Sequence, residues 1–201
     1  VHIVLSLYVV MSLIVGPPID VLVDSQHGLP EWYAPGENET ARQALDDLIS
    51  AAEEQGLLVA VFSGYRDYEY QGQVYAREHR KWSSRVDEFI AHPGHSEHQL
   101  GTAFDIAWPG LPVESLDERN LRLFRWVQAN AHKYGFVISY PFKTSDEWPY
   151  SNRWRPMGSE LIYEPWHVRY VGVDLANEIV AAGYLDPASD VFPADFYQVW
   201  P

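Results

Sequence analysis

The chain has 201 residues, a length that suits one domain with a sizeable core. Hydrophobic residues make up 47%, which argues against a disordered chain, and a formal charge of −14 argues against a nucleic-acid partner. There is no cysteine, so disulfides, thiolate metal sites and a cysteine nucleophile are excluded, and any metal must be held by His, Asp or Glu.

Residues 1–16, "VHIVLSLYVVMSLIVG", carry no Lys, Arg, Asp or Glu. The run is shorter than the about 20 residues of a full span but much longer than a strand of about 5–6. With Pro17 and Pro18 closing it, residues 1–18 are expected to be an export signal or an N-terminal membrane anchor. Residues 19–201 are expected to form a single domain, opening with an extended lead-in over 19–36. "TARQALDDLISAAEEQG" (40–56) predicts an amphipathic helix, with Ala41, Ala44, Leu45, Leu48, Ile49 and Ala52 at helical spacing, Thr40 as cap and Gly56 behind it. "LLVAVF" (57–62) predicts a buried strand. A helix is expected from about Tyr68, with Asp67 as its cap. "GTAFDIAW" (101–108) is strand-like and stops at Pro109. "SLDE" (115–118) reads as a capping box opening a helix to about Tyr134, with Gly135 after it. Strands are expected over "FVISY" (136–140) and most of "EPWHVRYVG" (164–172), then a short helix to Gly183. Strands and helices mix without βαβ alternation, which favours an α+β fold: a central antiparallel sheet flanked by helices and carrying the site.

The chemistry concentrates in "HPGHSEHQLGTAFD" (92–105), where three histidines and two carboxylates share fourteen positions. His98 and Asp105 would stand roughly 23 Å apart if the seven residue steps from one to the other were fully extended. To share a zinc, whose ligands each lie at about 2 Å, the chain must fold back, and Gly101 is the natural hinge. A loop histidine followed by an aspartate on the strand that the loop enters meets this need. Ala103 and Ala107 would share that aspartate's face and leave room for a metal. The third ligand is sought in "EPWHVRYVG", at His167. Pro165 breaks the strand there, so Glu164 can turn into the same pocket without ligating. Two histidines and one carboxylate leave a position for water, as catalytic zinc sites do. His92 and His95 compete with His98 as ligands, although Pro93 and Gly94 oppose the helix that would stack them.

Three ordered blocks, "SGYRDYEYQ" (63–71), "HPGHSEHQLGTAFD" (92–105) and "EPWHVRYVG" (164–172), resemble the signatures of VanY-type D-alanyl-D-alanine carboxypeptidases. These are zinc peptidases related to lysostaphin and to the sonic hedgehog N-terminal domain. The resemblance covers about residues 19–183 and implies that family's fold, with one Zn2+ on His98, Asp105 and His167. It implies Glu164 as general base for the zinc-activated water, and Arg66 as the group that stabilises the oxyanion or holds the substrate's terminal carboxylate. It places Gln71, Ser96 and Trp166 along the substrate pocket. Elementary chemistry agrees: zinc activates water near neutral pH, a carboxylate can carry its proton to the leaving amine, and an arginine suits an oxyanion.

The resemblance implies a carboxypeptidase that trims C-terminal D-alanine from peptidoglycan stem peptides, at a D-Ala-D-Ala or an L,D-tetrapeptide bond. The setting would be the extracytoplasmic bacterial cell envelope, with a monomer expected and membrane contact only through an uncleaved N-terminal segment. The rivals are a zinc-containing binding module without catalysis, which needs neither Glu164 nor Arg66, and a cell-wall endopeptidase. Two stretches depart from the family. An enlarged loop over 141–163 carries Trp148, Tyr150 and Trp154 and is expected to wall the zinc site, and the tail after 184 has no counterpart.

Overall fold

The computed structural model describes residues 17–141, 163–186, 188–189 and 191–200. The expected signal or anchor over 1–18 and the enlarged loop over 141–163 therefore fall almost wholly outside the described residues. Among those that are described, no helix is long and apolar enough to cross a membrane.

In chain order, helix α1 (Glu39–Glu53) leads to strand β1 (Ala60–Ser63), helix α2 (Tyr68–Trp82), strand β2 (Ala103–Ala107) and helix α3 (Glu118–Asn130). Strand β3 (Phe136–Ile138), strand β4 (His167–Tyr170) and helix α4 (Val173–Ala181) follow. The four strands form one sheet in the order β1-β2-β4-β3, and every neighbouring pair is antiparallel. The expected α+β architecture with a central antiparallel sheet is the one observed.

Alternation along the strands sorts the two faces. Phe104, Ile106, Phe136, Ile138 and Val168 face the helices, where they pack with Leu45 and Leu48 of α1 and Leu123 and Val127 of α3. Ala103, Asp105, His167 and Arg169 lie on the alternate positions. α4 sits on a smaller cluster with Val137, Val171 and Tyr184, and Val21, Val23, Leu29 and Leu100 bury the lead-in.

Several boundaries differ from the sequence expectations for local reasons. α1 is capped by Asn38, whose side chain accepts from Ala41 N at 2.9 Å, so Thr40 lies inside the helix. α3 starts after Asp117 rather than on a capping box at Ser115. Buried Asn120 donates to the carbonyls of Pro112 and Ser115, which keeps Ser115 in the preceding loop, and Asp117 caps Arg119 N. "LLVAVF" is not a buried strand: β1 begins at Ala60, lies at the sheet edge, and leaves Leu58 and Phe62 exposed. Asp67 caps α2 as expected, accepting from Tyr70 N at 2.7 Å.

Candidate active site and metal centre

His98, Asp105 and His167 each reach one point by a different route. β2 and β4 pair so that Asp105 stands directly opposite His167, and directly opposed residues project side by side from one face. His98 lies in the short 3-10 turn Glu97–Leu100, which ends at Gly101 in the left-handed conformation, φ +77°. A β-carbon at Gly101 would come within 2.1 Å of the Gly36 carbonyl oxygen, so only glycine allows this reversal so close to the lead-in. One ligand atom from each of the three residues lies within 4.8 Å of the others.

The donor orientations suit a metal. The Gly64 carbonyl accepts from His98 Nδ1 at 2.7 Å, which leaves Nε2 as the free lone pair, 3.3 Å from Asp105 Oδ2. His167 Nε2 meets Glu97 Oε2 at 2.9 Å, which turns Nδ1 to Asp105 Oδ1 at 3.1 Å. Both imidazoles are thus held by one nitrogen and offer the other to a shared point, the usual arrangement behind a ligating histidine. The charges agree. Burial opposes ionisation of Asp105, but His98 and His167 outweigh it and hold the carboxyl well below its usual range. Burial alone would lower His167, yet hydrogen bonds to Asp105 and Glu97 push it up to about 10. Burial and then Arg66 lower His98 to about 4, so its nitrogen stays unprotonated. The pocket is built to hold positive charge between these groups, and this donor set fits zinc.

The remaining predicted residues fall at different distances from this point. Pro165 and Trp166 form a turn in which Glu164 O accepts from His167 N at 3.1 Å, and Glu164 N donates to Tyr140 O. This sets Glu164 three residues ahead of β4, half-buried. Burial raises its carboxyl to about 8, and it feels His167, Asp105 and Arg66. Arg66 donates to Ser63 Oγ at 2.9 Å and to Ser96 Oγ at 3.4 Å, and its Nη1 lies 3.7 Å from Asp105 Oδ2. A bulge in β1 after Val61 sets Ser63 opposite Asp105 and so brings that anchor to Arg66. Burial lowers the Arg66 guanidinium from its ordinary value, against the pull of Asp105 and Glu164.

Gln71 is buried and donates from Nε2 to Ala91 O at 2.7 Å. Its Oε1 has no hydrogen-bond partner among the described residues. The structure does not bring Trp166 to the charged group: its ring packs on the helix-side core, 6.5 Å from Phe124. His92 pairs with Asp87 at 3.0 Å and stacks on Tyr75, and His95 Nδ1 meets Asp24 O at 2.7 Å, so neither competes as a ligand. A cavity of about 310 Å³, lined in part by Tyr68, Ala91 and His92, extends to Tyr140, whose ring lies 5.3 Å from that of His167.

Sequence reasoning missed Glu97, Ser139 and Arg169. Buried Glu97 accepts from Ser139 Oγ at 2.6 Å and from Arg169 Nη1 at 2.7 Å. Burial opposes its ionisation, but Arg169 and His167 hold it down to about 2. The signal was present in part, because Arg169 stands two residues beyond His167 on one strand and must share its face. Nothing in spacing told that Glu97 turns inward.

Residues 36–173, more than half of the chain, match the VanY family, D-alanyl-D-alanine carboxypeptidase. The chain belongs to this carboxypeptidase family. A D-alanyl-D-alanine carboxypeptidase of Enterococcus faecalis is 30% identical over 182 residues, covering 81% of this chain and 62% of that relative. The chain also spans 62% of the length of a Bacillus subtilis relative 34% identical to it. Among solved structures it is similar to the LdcB LD-carboxypeptidase, at TM-score 0.66 and 32% identity, covering 81% of this chain and 80% of that one. It is also similar to a point mutant of the VanY D,D-pentapeptidase from a VanB-type resistance cassette, solved in complex with Zn(II). There the TM-score is 0.67 and the identity 26%, over 88% of this chain and 97% of that one.

Proposed function

We propose that this VanY-family chain is a zinc-dependent carboxypeptidase that removes C-terminal D-alanine from peptidoglycan stem peptides outside the cytoplasm. The observation that carries this reading is the convergence of His98, Asp105 and His167 donors within 4.8 Å, with the half-buried Glu164 carboxyl, raised from its ordinary range, in their field. In this reading His98 Nε2, His167 Nδ1 and an Asp105 oxygen hold the zinc. When bound, zinc supplies Lewis-acid activation of water and of the scissile carbonyl.

The chain's own groups do the rest. Glu164 accepts the proton that water loses as its oxygen bonds to the carbonyl carbon, and returns it to the leaving nitrogen as the C–N bond breaks. Burial raises this carboxyl from its ordinary range and a bound dication would draw it back down, so it can hold and release a proton near neutral pH. Arg66, pinned by Ser63 and Ser96, holds the substrate's terminal carboxylate or meets the oxyanion with a charge that costs no reorientation. Gln71 and Ser96 are buried, so Ser96 Oγ would act by fixing Arg66, and Gln71 Oε1 would meet substrate only if the pocket opened. The cavity that ends at Tyr140 has room for a stem-peptide residue upstream of the cut bond.

D,D-pentapeptides and L,D-tetrapeptides are the two substrates to compare, since a relative of each type has this fold. Purified protein incubated with defined penta- and tetrapeptides should release free D-alanine, and a chelator should abolish the release. Release from neither peptide by zinc-loaded protein would instead support a silent binding module. Cleavage inside the stem peptide, read by mass spectrometry, would make it an endopeptidase.

A further inference from the structure

The network behind His167 runs out of the family match altogether. Glu97 sits between His167 Nε2, Ser139 Oγ and Arg169 Nη1, at 2.9, 2.6 and 2.7 Å. Arg169 is fully buried opposite Ala103, whose small side chain leaves space for it. The other arm of its guanidinium donates to the carbonyls of Ile19 and Val21, at 2.8 and 2.7 Å. Its flat face stacks on the Tyr197 ring at 4.1 Å.

These last partners belong to the two ends of the described chain, which are tied to each other. Leu22 N donates to Gln198 O at 2.7 Å, Gln198 N to Asp20 O at 2.9 Å, and the Gln198 side chain to Asp20 Oδ2. Residues 19–22 and 197–198 all lie outside 36–173, the part that matches the family model.

We propose that Glu97 is a positioning residue for the metal, and that the paired terminal segments, acting through Arg169, fix it against His167. This rests on the reading that His167 holds zinc. Glu97 sets the imidazole's orientation and tautomer, so that Nδ1 faces Asp105. Arg169 can serve it only while both terminal carbonyls and the Tyr197 face hold the guanidinium fork in place. The lead-in and the tail are therefore part of the metal centre, although neither touches the ion.

The test measures zinc affinity by competition with a chromophoric chelator, and the absorption spectrum of the Co2+-substituted protein. The proteins are wild type, His167→Ala, Glu97→Gln and Tyr197→Leu. His167→Ala should lose the metal. Glu97→Gln should bind zinc about 10–100-fold more weakly and shift the cobalt bands. Tyr197→Leu should change both readouts in the same direction by a smaller factor. A folded Glu97→Gln protein with wild-type affinity and an unchanged cobalt spectrum overturns the inference and leaves the zinc reading standing. If Glu97→Gln does not fold, wild-type metal binding by Tyr197→Leu overturns it. Wild-type protein that takes up no zinc overturns the zinc reading, and this inference with it.

Discussion

In the proposed reading, Glu164 and Arg66 divide two tasks that one residue could not combine. A proton carrier must be able to exist in both states near neutral pH, and burial brings Glu164 to about 8 for that purpose. An anion holder must stay charged, and Arg66 keeps its cation despite burial because Asp105 and Glu164 surround it. Glu164→Gln should therefore keep stoichiometric zinc and lose roughly 10²–10⁴-fold in kcat. Loss of metal in that variant would put Glu164 among the ligands. Arg66→Lys loses the fork that meets Ser63 and Ser96, and a rise in KM for peptides with a free C-terminal carboxylate is expected. Equal KM for wild type and variant would remove Arg66 from substrate binding. The pH profile follows from the sign of the Glu164 shift. The base form is the ionised one, so kcat/KM should rise with pH through the Glu164 pKa. A bound dication favours the charged carboxylate, so the inflection should lie below the value of about 8 in the metal-free protein. A kcat/KM that falls steadily between about pH 5 and 8 would contradict Glu164 as base.

At the scale of elements, the site is a product of register. Asp105 meets His167 because β2 and β4 pair residue against residue, and a slip of one position would put the two on opposite faces of the sheet. His98 completes the set because Gly101 reverses the chain against Gly36. Gly101→Ala would place a β-carbon on that carbonyl at positive φ, and backbone strain of this kind costs about 1–3 kcal/mol before the clash is counted. A lower Tm together with weaker zinc binding is expected, and an unchanged Tm would show that the turn relaxes freely. These features explain what could be read in advance. His98, Asp105 and His167 were legible because a fold-back at glycine and strand alternation are local rules, and Asp67 as the α2 cap was legible for the same reason. The Asn38 and Asp117 caps were not, because a contact to Gly101 and the buried Asn120 move those boundaries by tertiary means. The edge position of β1 depends on strand order, which periodicity does not encode. Trp166 stands apart from the charged group because the turn before His167 sets its ring against Phe124, a contact that spacing does not encode.

For the whole molecule, the terminal segments close over the sheet face that carries the charges. Without metal, the fold must bury Glu97, His167 and Arg169 together with a half-buried Asp105, and only mutual pairing makes that tolerable. Zinc should therefore act on global stability as well as on chemistry. At a thousandfold excess over its dissociation constant, a ligand of the native state adds about 4 kcal/mol. For a chain of this size that is roughly 8–16 °C in Tm, measured with and without chelator. A Tm indifferent to zinc would deny that the site belongs to the folded core. The acidic surface, at a net −14, favours substrates that are not strong polyanions and fits a short peptide better than a nucleic acid.

In the proposed reading, zinc held by His98, Asp105 and His167 makes this chain a D-alanine-releasing carboxypeptidase. Its most direct test is to count zinc by elemental analysis and free D-alanine by mass spectrometry in one experiment, on wild type and His167→Ala. One zinc per wild-type chain is expected, with D-alanine release that chelation stops and added zinc restores, and neither metal nor release in the variant. Release that persists in metal-free protein, or a His167→Ala protein that still binds zinc and turns over, would contradict it.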